Sequence, residues 1–507
     1  MLRHACMLLL VPVLARGDGL ADRIKAHVER PRYRNARWGI LVVEAATGKV
    51  VHERNADQLF APASVTKLYS CAAAWLALGP AHRFATPVHR KGEAKDGVLG
   101  GDLVLVAKGD LTMGGRDKDG RMLFADDDHT YASPEGATTG LPDTDPLAGL
   151  AGLARQVKAE GIRKVSGDVL IDARLFDSSP SSGSGPRTVS PILVNDTVVD
   201  VVVTPGAKAG DPASIAARPA TAFVRIDARV ETVAKGKPLR VTVERTGDSF
   251  TVRGAIPVGS RPAVRICPVG DPVAFARALF IEALRREGID VAASPFKPQG
   301  ALPADPEKMP RVALHRSLPL SESVKVILKV SHNLMASALP LLLAAQEGKR
   351  TLEAGLERQG LLLKGLGVET GTISLGSGAG GSNADRVTPR ATVALLRAMR
   401  KRGDWPLFEA ALPVLGVDGT LAEAVDAKSG ARGKARGKTG TYVDGNLLLG
   451  TSHLRAKSLA GVLTTAKGTE LVFCVFVNDV ALPKGETAKR EGRSIGDLCE
   501  ILHAHGP

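Results

Sequence analysis

A serine and a lysine stand three residues apart in Ala61-Pro62-Ala63-Ser64-Val65-Thr66-Lys67-Leu68. On a helix that spacing puts both side chains on one face. A serine hydroxyl is a weak nucleophile until a neighbouring base takes its proton. A lysine whose pKa is lowered by burial or by positive neighbours can be that base. Ser64 also falls in the first turn of the expected helix, where free backbone N–H groups favour a developing negative charge. Two later triplets could complete the chemistry. Ser331-His332-Asn333 offers a hydroxyl for proton relay and an amide to orient a substrate carbonyl. Lys438-Thr439-Gly440-Thr441 offers an ammonium and hydroxyls for a substrate carboxylate, and a glycine that lets substrate backbone come close. Each motif alone is a weak signal. The chain repeats the first spacing in Ser294-Pro295-Phe296-Lys297, where proline inside and Pro298 and Gly300 after it break any helix, so that copy reads as chance.

The elements that must hold these groups follow from pattern. The helix beginning at Ser64 runs through apolar Cys71 to Leu78 and stops at Gly79-Pro80. Ser331-His332-Asn333 interrupts an otherwise continuous helix over Glu322 to Ala345. Trp38 to Glu44 and Lys49 to Arg54 predict two strands joined as a hairpin. Ser458 to Thr464 and Glu470 to Val477 predict two more, and a helix from about Glu486 to His503 follows. One sheet built from both ends of the chain and flanked by helices is an α+β arrangement. Val98 to Ala107 and Val165 to Ile171 read as strands, and Pro146 to Glu160 as a helix. Val198 to Val264 reads as a small β-rich module. Met113 to Asp145, rich in Asp, Gly and Thr, reads as a surface loop, and its Asp117-Lys118-Asp119-Gly120 lacks the glycine placement of a calcium loop. No metal is expected.

At 507 residues the chain is long enough for two to four domains. A net charge of +14 favours acidic partners, but its basic residues are interleaved with acidic ones and read as a solvated surface. Aromatics make up only 4%, too few for base-stacking platforms, so nucleic acid is not expected as a partner. Met1 to Gly17 reads as an export signal: a short basic start, an apolar core and small residues near a cut after Ala15 or Gly17. No later run of about twenty apolar residues would span a bilayer, which leaves peripheral membrane contact open. Cys71, Cys267, Cys474 and Cys499 are too widely spread for a zinc site or a disulfide framework, and Cys71 and Cys474 lie in apolar segments.

Taken together, Ser64-x-x-Lys67, Ser331-x-Asn333 and Lys438-Thr439-Gly440 come in the order found in serine β-lactamases and penicillin-binding proteins. Asn55 to Phe60 leading into Pro62-Ala63-Ser64, Gly109-Asp110-Leu111-Thr112, Gly167 to Asp172 and Asn195 to Asp200 extend the likeness. So do Gly376-Ser377-Gly378 with Arg386 to Arg390, and Gly416 to Leu421. From Trp38 to Asp479 the chain resembles the class C low-molecular-mass penicillin-binding proteins, the D-alanyl-D-alanine carboxypeptidase/endopeptidase family (peptidase family S13). The resemblance implies a β-lactamase/transpeptidase-like domain, an antiparallel sheet flanked by helices, over 18–95 and 313–507. A second domain over 96–190 and 266–312 would be inserted in it, with a β-rich third domain over 191–265 nested in the second. The long interval from Lys67 to Ser331 requires such an insertion.

By the same resemblance Ser64 attacks the carbonyl of a D-Ala-D-Ala bond and is acylated, with Lys67 as base. Ser331 relays a proton to the leaving amine and Asn333 holds the substrate amide. Lys438 and Thr439 bind the terminal carboxylate, Gly440 lies beside them, and the N–H groups of Ser64 and Thr441 form the oxyanion hole. Asp172 and Phe176 lie where some relatives contact the peptide stem. Peptidoglycan stem peptides are the implied substrate, β-lactams the implied covalent inhibitors, the periplasm or cell envelope the implied location, and no cofactor is implied. Two departures stand out: Leu375 replaces an aspartate that relatives often carry before Gly-Ser-Gly, and Asp444 to Lys457 is longer than a tight hairpin needs.

Three rival readings exist. Gly376-Ser377-Gly378-Ala379-Gly380-Gly381 fits a dinucleotide fingerprint, but the next helix begins well past it. The charge and Arg432 to Lys438 suggest nucleic-acid binding, for which a steep salt dependence would be the mark. A catalytically silent peptidoglycan-binding protein on the same fold is the third.

Overall fold

The structure, a computed structural model, describes residues 19–132, 140–247 and 249–507. The export signal read at 1–17 lies outside them. The central sheet has five antiparallel strands in the order 50–54, 37–44, 470–482, 451–464, 435–446. Both ends of the chain thus build one sheet, as the sequence pattern requires. Both faces are covered, which is why Trp38 to Val43 is buried throughout instead of alternating with polar residues. Leu41 and Val43, with Cys474 and Phe476, face the helices Thr66–Leu78, Leu320–Lys329 and Pro389–Arg400. Ile40 and Val42, with Val475 and Val477, face the terminal helices Leu20–Val28 and Lys489–His505.

The helix Thr66–Leu78 follows a single 3-10 turn at Ala63–Val65 and ends at Gly79, whose φ of 85° only a residue without a Cβ adopts readily. Its residues from Thr66 to Trp75 are all buried, so it is a core helix and not an amphipathic surface one. Tyr69 Oη lies 2.8 Å from Thr392 Oγ1 and ties it to Pro389–Arg400. The expected helix over 322–345 is indeed broken: Leu320–Lys329 and Asn333–Gln346 are separate, with Ser331 at φ 64° between them.

The chain leaves this region at residue 85 and returns at 316. In between, strands 169–172, 102–106, 85–91 and 311–316 form a four-stranded sheet. Strand 85–91, assigned above to the peptidase portion, is therefore hydrogen-bonded into the inserted one. Beyond it lie two three-stranded sheets, 214–218, 198–204, 263–268 and 225–233, 249–257, 240–246, sharing a core of Val201, Val203, Val241, Phe250 and Val252. This is the β-rich module. The hairpin 435–464 is longer than expected because its distal half is strand: Ala435–Asn446 pairs continuously with Thr451–Thr464 apart from one bulge at Tyr442/Val443. The final helix spans Lys489–His505. Cys71, Cys267, Cys474 and Cys499 are buried free thiols.

The expectation of a surface loop over Met113 to Asp145 fails at its centre. Arg116, Asp128 and His129 are fully buried there. Arg116 donates to Asp128 at 2.7 and 3.1 Å and to Asp196 at 2.8 Å, and His129 bridges Asp200 (2.6 Å) and Asp196 (2.9 Å). Polar composition misleads where the partners come from a distant segment.

Candidate active site

The nucleophile turn is gripped from the sheet. Ser458 Oγ donates to the Pro62 carbonyl (2.7 Å), and Asn478 both accepts from the Ala61 N–H (2.8 Å) and donates to its carbonyl (3.1 Å). Ala63 is held at φ 46°, a strained conformation for a residue with a side chain, just before Ser64. Gly380 and Gly440 close the turn from two sides. A Cβ on Gly380 would sit 1.9 Å from the Ala63 carbonyl oxygen. One on Gly440 would lie 2.5 Å from that of Pro62 and 3.0 Å from the Ser64 nitrogen. Gly440 is thus required by the protein's own packing, with Ser458 Oγ 2.2 Å from the same Cβ position.

Lys67 is fully buried one turn below. Its ammonium donates to Ser64 Oγ (2.8 Å), Asn333 Oδ1 (2.7 Å) and the Ala379 carbonyl (2.8 Å), which uses all three N–H bonds. Burial pulls its pKa down to about 7, against weaker opposing pulls from Cys71 and Asp385. Near neutrality a large fraction is a free amine, with a lone pair aimed at the serine proton.

The loop that presents Ala379 is the glycine-rich segment after Leu375. Asp385 organises it, accepting from the N–H groups of Gly376 (2.8 Å) and Ser382 (2.9 Å) and from Ser377 Oγ (2.8 Å). With leucine at 375, the carboxylate that holds this loop is Asp385, on its other side. The glycines of the Gly-x-Gly-x-x-Gly match are accounted for by close packing within the protein, since a Cβ would lie 2.4 Å from the Ala336 carbonyl oxygen at Gly378 and 2.4 Å from the Gly183 nitrogen at Gly381. Ser70 Oγ donates to the Gly378 carbonyl at 2.8 Å.

Asn333 is committed at both ends: Oδ1 accepts from Lys67, and Nδ2 donates to the Ser184 carbonyl at 2.9 Å. It positions the base in this structure instead of standing free for a substrate amide. Ser331 lines the cleft beside Ser64, and its carbonyl accepts from Tyr131 Oη. His332 points the opposite way, its Nε2 3.1 Å from Asp196 Oδ1 in the buried ion cluster. Within that cluster burial pulls the His129 pKa down, but the carboxylates of Asp200 and then Asp196 reverse this and raise it to about 10. His129 is therefore a second fixed cation beside Arg116.

The open cleft, about 1140 Å³, is lined by Ser64, Ser331, Asn333, Thr439, Thr441 and Lys457 among others. Lys438 does not line it. Its side chain is fully buried behind the strand, with Nζ on the Thr439 carbonyl (2.8 Å) and its pKa driven down by burial and by the charge of Lys67. Arg187, Lys489 and Arg493 line the cleft as well, but the cation beside Thr439 and Thr441 is Lys457, which the sequence reading missed. It donates to Thr441 Oγ1 at 2.8 Å, and burial lowers its pKa to about 8. Thr439 Oγ1 meets Thr420 Oγ1 at 2.7 Å. Asp172 and Phe176 also lie off the cleft: Asp172 is paired with Arg174 (2.7 Å), and Phe176 is in the hydrophobic core.

A buried lysine one turn from a serine, under the edge of an antiparallel sheet with helices on both faces, defines a serine hydrolase of the penicillin-binding type. The D-Ala-D-Ala carboxypeptidase 3 (S13) family model matches residues 20–500. The D-alanyl-D-alanine carboxypeptidase of Actinomadura sp. (strain R39) is 31% identical over 464 residues, covering 85% of this chain and 78% of that one. D-alanyl-D-alanine carboxypeptidase DacB of Haemophilus influenzae is 24% identical over 461 residues, covering 87% and 85%. The crystal structure of penicillin binding protein 4 from Haemophilus influenzae superposes with a TM-score of 0.68 at 21% identity, over 93% of this chain and 97% of that one. The chain belongs to the D-Ala-D-Ala carboxypeptidase 3 (S13) family and is a serine-type DD-peptidase.

Proposed function

We propose that Ser64 cleaves the terminal peptide bond of peptidoglycan stem peptides ending in D-Ala-D-Ala through an acyl-enzyme. The observation that carries this is the fully buried Lys67 amine 2.8 Å from Ser64 Oγ. Neutral Lys67 takes the serine proton as Oγ bonds to the carbonyl carbon of the penultimate residue. The N–H groups of Ser64 and Thr441 receive the oxyanion, a contribution typically of about 3 kcal/mol per donor. The C–N bond then breaks, the leaving D-alanine takes a proton relayed by the Ser331 hydroxyl, and water later hydrolyses the ester. Thr439, Thr441 and Lys457 receive the terminal carboxylate, while Lys438 holds the Thr439 carbonyl from behind the strand. Arrival of substrate carboxylate beside Lys457 would favour its charged form.

The same serine chemistry applies to a peptide cross-link, whose scissile bond has the same D-configured acyl donor. It also applies to β-lactams, which a solved complex of the Haemophilus influenzae protein contains. Export to the periplasm or cell envelope follows from that substrate and from the N-terminal pattern, and no helix among the described residues is long and apolar enough to cross a membrane. A peptidase domain interrupted near residues 85 and 316 by a second domain, itself interrupted by a β-rich third, is supported by the separate sheets.

The test is release of D-alanine from diacetyl-Lys-D-Ala-D-Ala and monomer formation from cross-linked muropeptide dimers. Wild-type protein is expected to release D-alanine and Ser64→Ala to release none above background. Equal release by both would overturn the assignment. Retained muropeptide binding without turnover in the wild type would favour the silent wall-binding reading.

A further inference from the structure

The hairpin that carries Lys438 to Thr441 ends in three consecutive leucines that the fold does not use. Strand pairing closes at Asn446 and Thr451, and Leu447, Leu448 and Leu449 are 95%, 91% and 68% exposed between them. The turn itself needs only Gly450, at φ 60°. The neighbouring strand stops at Leu482, paired with Ser452, so the tip projects past the sheet. None of the three packs against a core cluster. A contiguous apolar patch of this kind on a water-exposed knob marks a binding surface.

The shape and charge of the knob select its occupant. Three leucine side chains offer roughly 450 Å² of apolar surface, well short of the roughly 800 Å² per partner that a stable protein interface buries. A convex apolar tip has no groove to receive a side chain, but it can sink about 5–10 Å into the boundary between headgroups and acyl chains. Lys484 follows the end of strand 470–482 to the level of the tip, is exposed, and makes no ion pair among the described residues. Nearby His453 faces Asp479 (3.5 Å) and Asp444 lies opposite His453 in the register. The chain as a whole carries +14. The charges beside the tip nearly cancel, so it is the net charge of the whole chain that favours an anionic lipid surface.

We propose that Leu447-Leu448-Leu449 is a docking element that inserts into an anionic membrane surface. Tyr442, Val443 and Asp444 of the same hairpin line the cleft. Insertion would hold the cleft rim at Asp444 about 10 Å from the inserted tip, the length of three extended residues from Asp444 to Leu447. The proposal does not depend on the serine chemistry, so either can fail alone.

The full chain is mixed with vesicles of phosphatidylglycerol and phosphatidylethanolamine, or of phosphatidylcholine alone, and sedimented. Wild type is expected to sediment with the anionic vesicles and less with the neutral ones. L447S/L448S/L449S is expected to lose about tenfold or more in partitioning. Leu448→Trp should show a blue-shifted emission that brominated lipids quench. Circular dichroism and an unchanged thermal unfolding midpoint report that the triple variant is folded. Equal partitioning of wild type and triple variant, or no partitioning of the wild type, would overturn the proposal. So would a triple variant that loses a dimer in sedimentation velocity while its lipid binding is unchanged, which would assign the tip to a second copy of the chain.

Discussion

Replacing Lys67 by methionine is expected to slow acylation by a penicillin about 10²–10⁴-fold, the range for loss of a positioned general base. Methionine fills nearly the same volume and removes a buried ammonium, so the fold should survive the change. The hydrogen bonds from Lys67 to Asn333 and Ala379 are lost together with the base. The pH profile separates the base from a merely structural lysine. Burial sets Lys67 at about 7, and only its neutral form can accept the serine proton. Wild-type acylation should therefore rise about tenfold per unit as pH increases toward 7 and level off above it. In Lys67→Met that rise should vanish. A wild-type rate that is flat between about pH 5.5 and 8.5 would remove Lys67 from the role of base.

The second large effect is expected in the buried ion cluster behind the cleft wall. Asp196 is the hub of the buried cluster, contacting Arg116, His129 and His332. Asp196→Ala leaves two buried cations short of a carboxylate, which typically costs about 3–5 kcal/mol. His332 lies between Ser331 and Asn333, and its ring also caps the following helix through the Met335 N–H at 3.3 Å. Loosening it frees a turn whose Ser331 is held at a positive φ. We therefore expect an earlier onset of thermal unfolding together with slower penicillin acylation at temperatures where the variant is still folded. Arg174→Ala, which breaks the half-exposed pair with Asp172, is the control and should cost no more than about 1 kcal/mol. Unchanged acylation in folded Asp196→Ala would show that the cluster stabilises the inserted region without setting the catalytic turn.

Much of this was readable in the chain because it is local. Ser64 and Lys67 are three residues apart, the helix that carries them ends where Gly79-Pro80 dictates, and Ser331-His332-Asn333 breaks an apolar periodicity that is otherwise continuous. What escaped depends on partners distant in sequence. Asp385 supplies the loop bonds that Leu375 cannot, and Lys457 reaches Thr441 only because the hairpin register places them opposite each other. Arg116, Asp128 and His129 read as surface residues until Asp196 and Asp200 are brought beside them. Lys438 lies on the edge strand 435–446, and whether its side chain faces the cleft or the nucleophile helix is a matter of strand face, which a triplet cannot specify. Phe176 likewise has the right type for a ligand contact and proves to be core.

The central claim is a nucleophile at one hydroxyl, and a mass spectrum of the protein after incubation with benzylpenicillin tests it directly. The account predicts a covalent adduct of one intact penicillin per chain, located by proteolysis on the peptide containing Ser64 and absent from Ser64→Ala. An adduct on any other residue, or one that persists at full yield in Ser64→Ala, would contradict it.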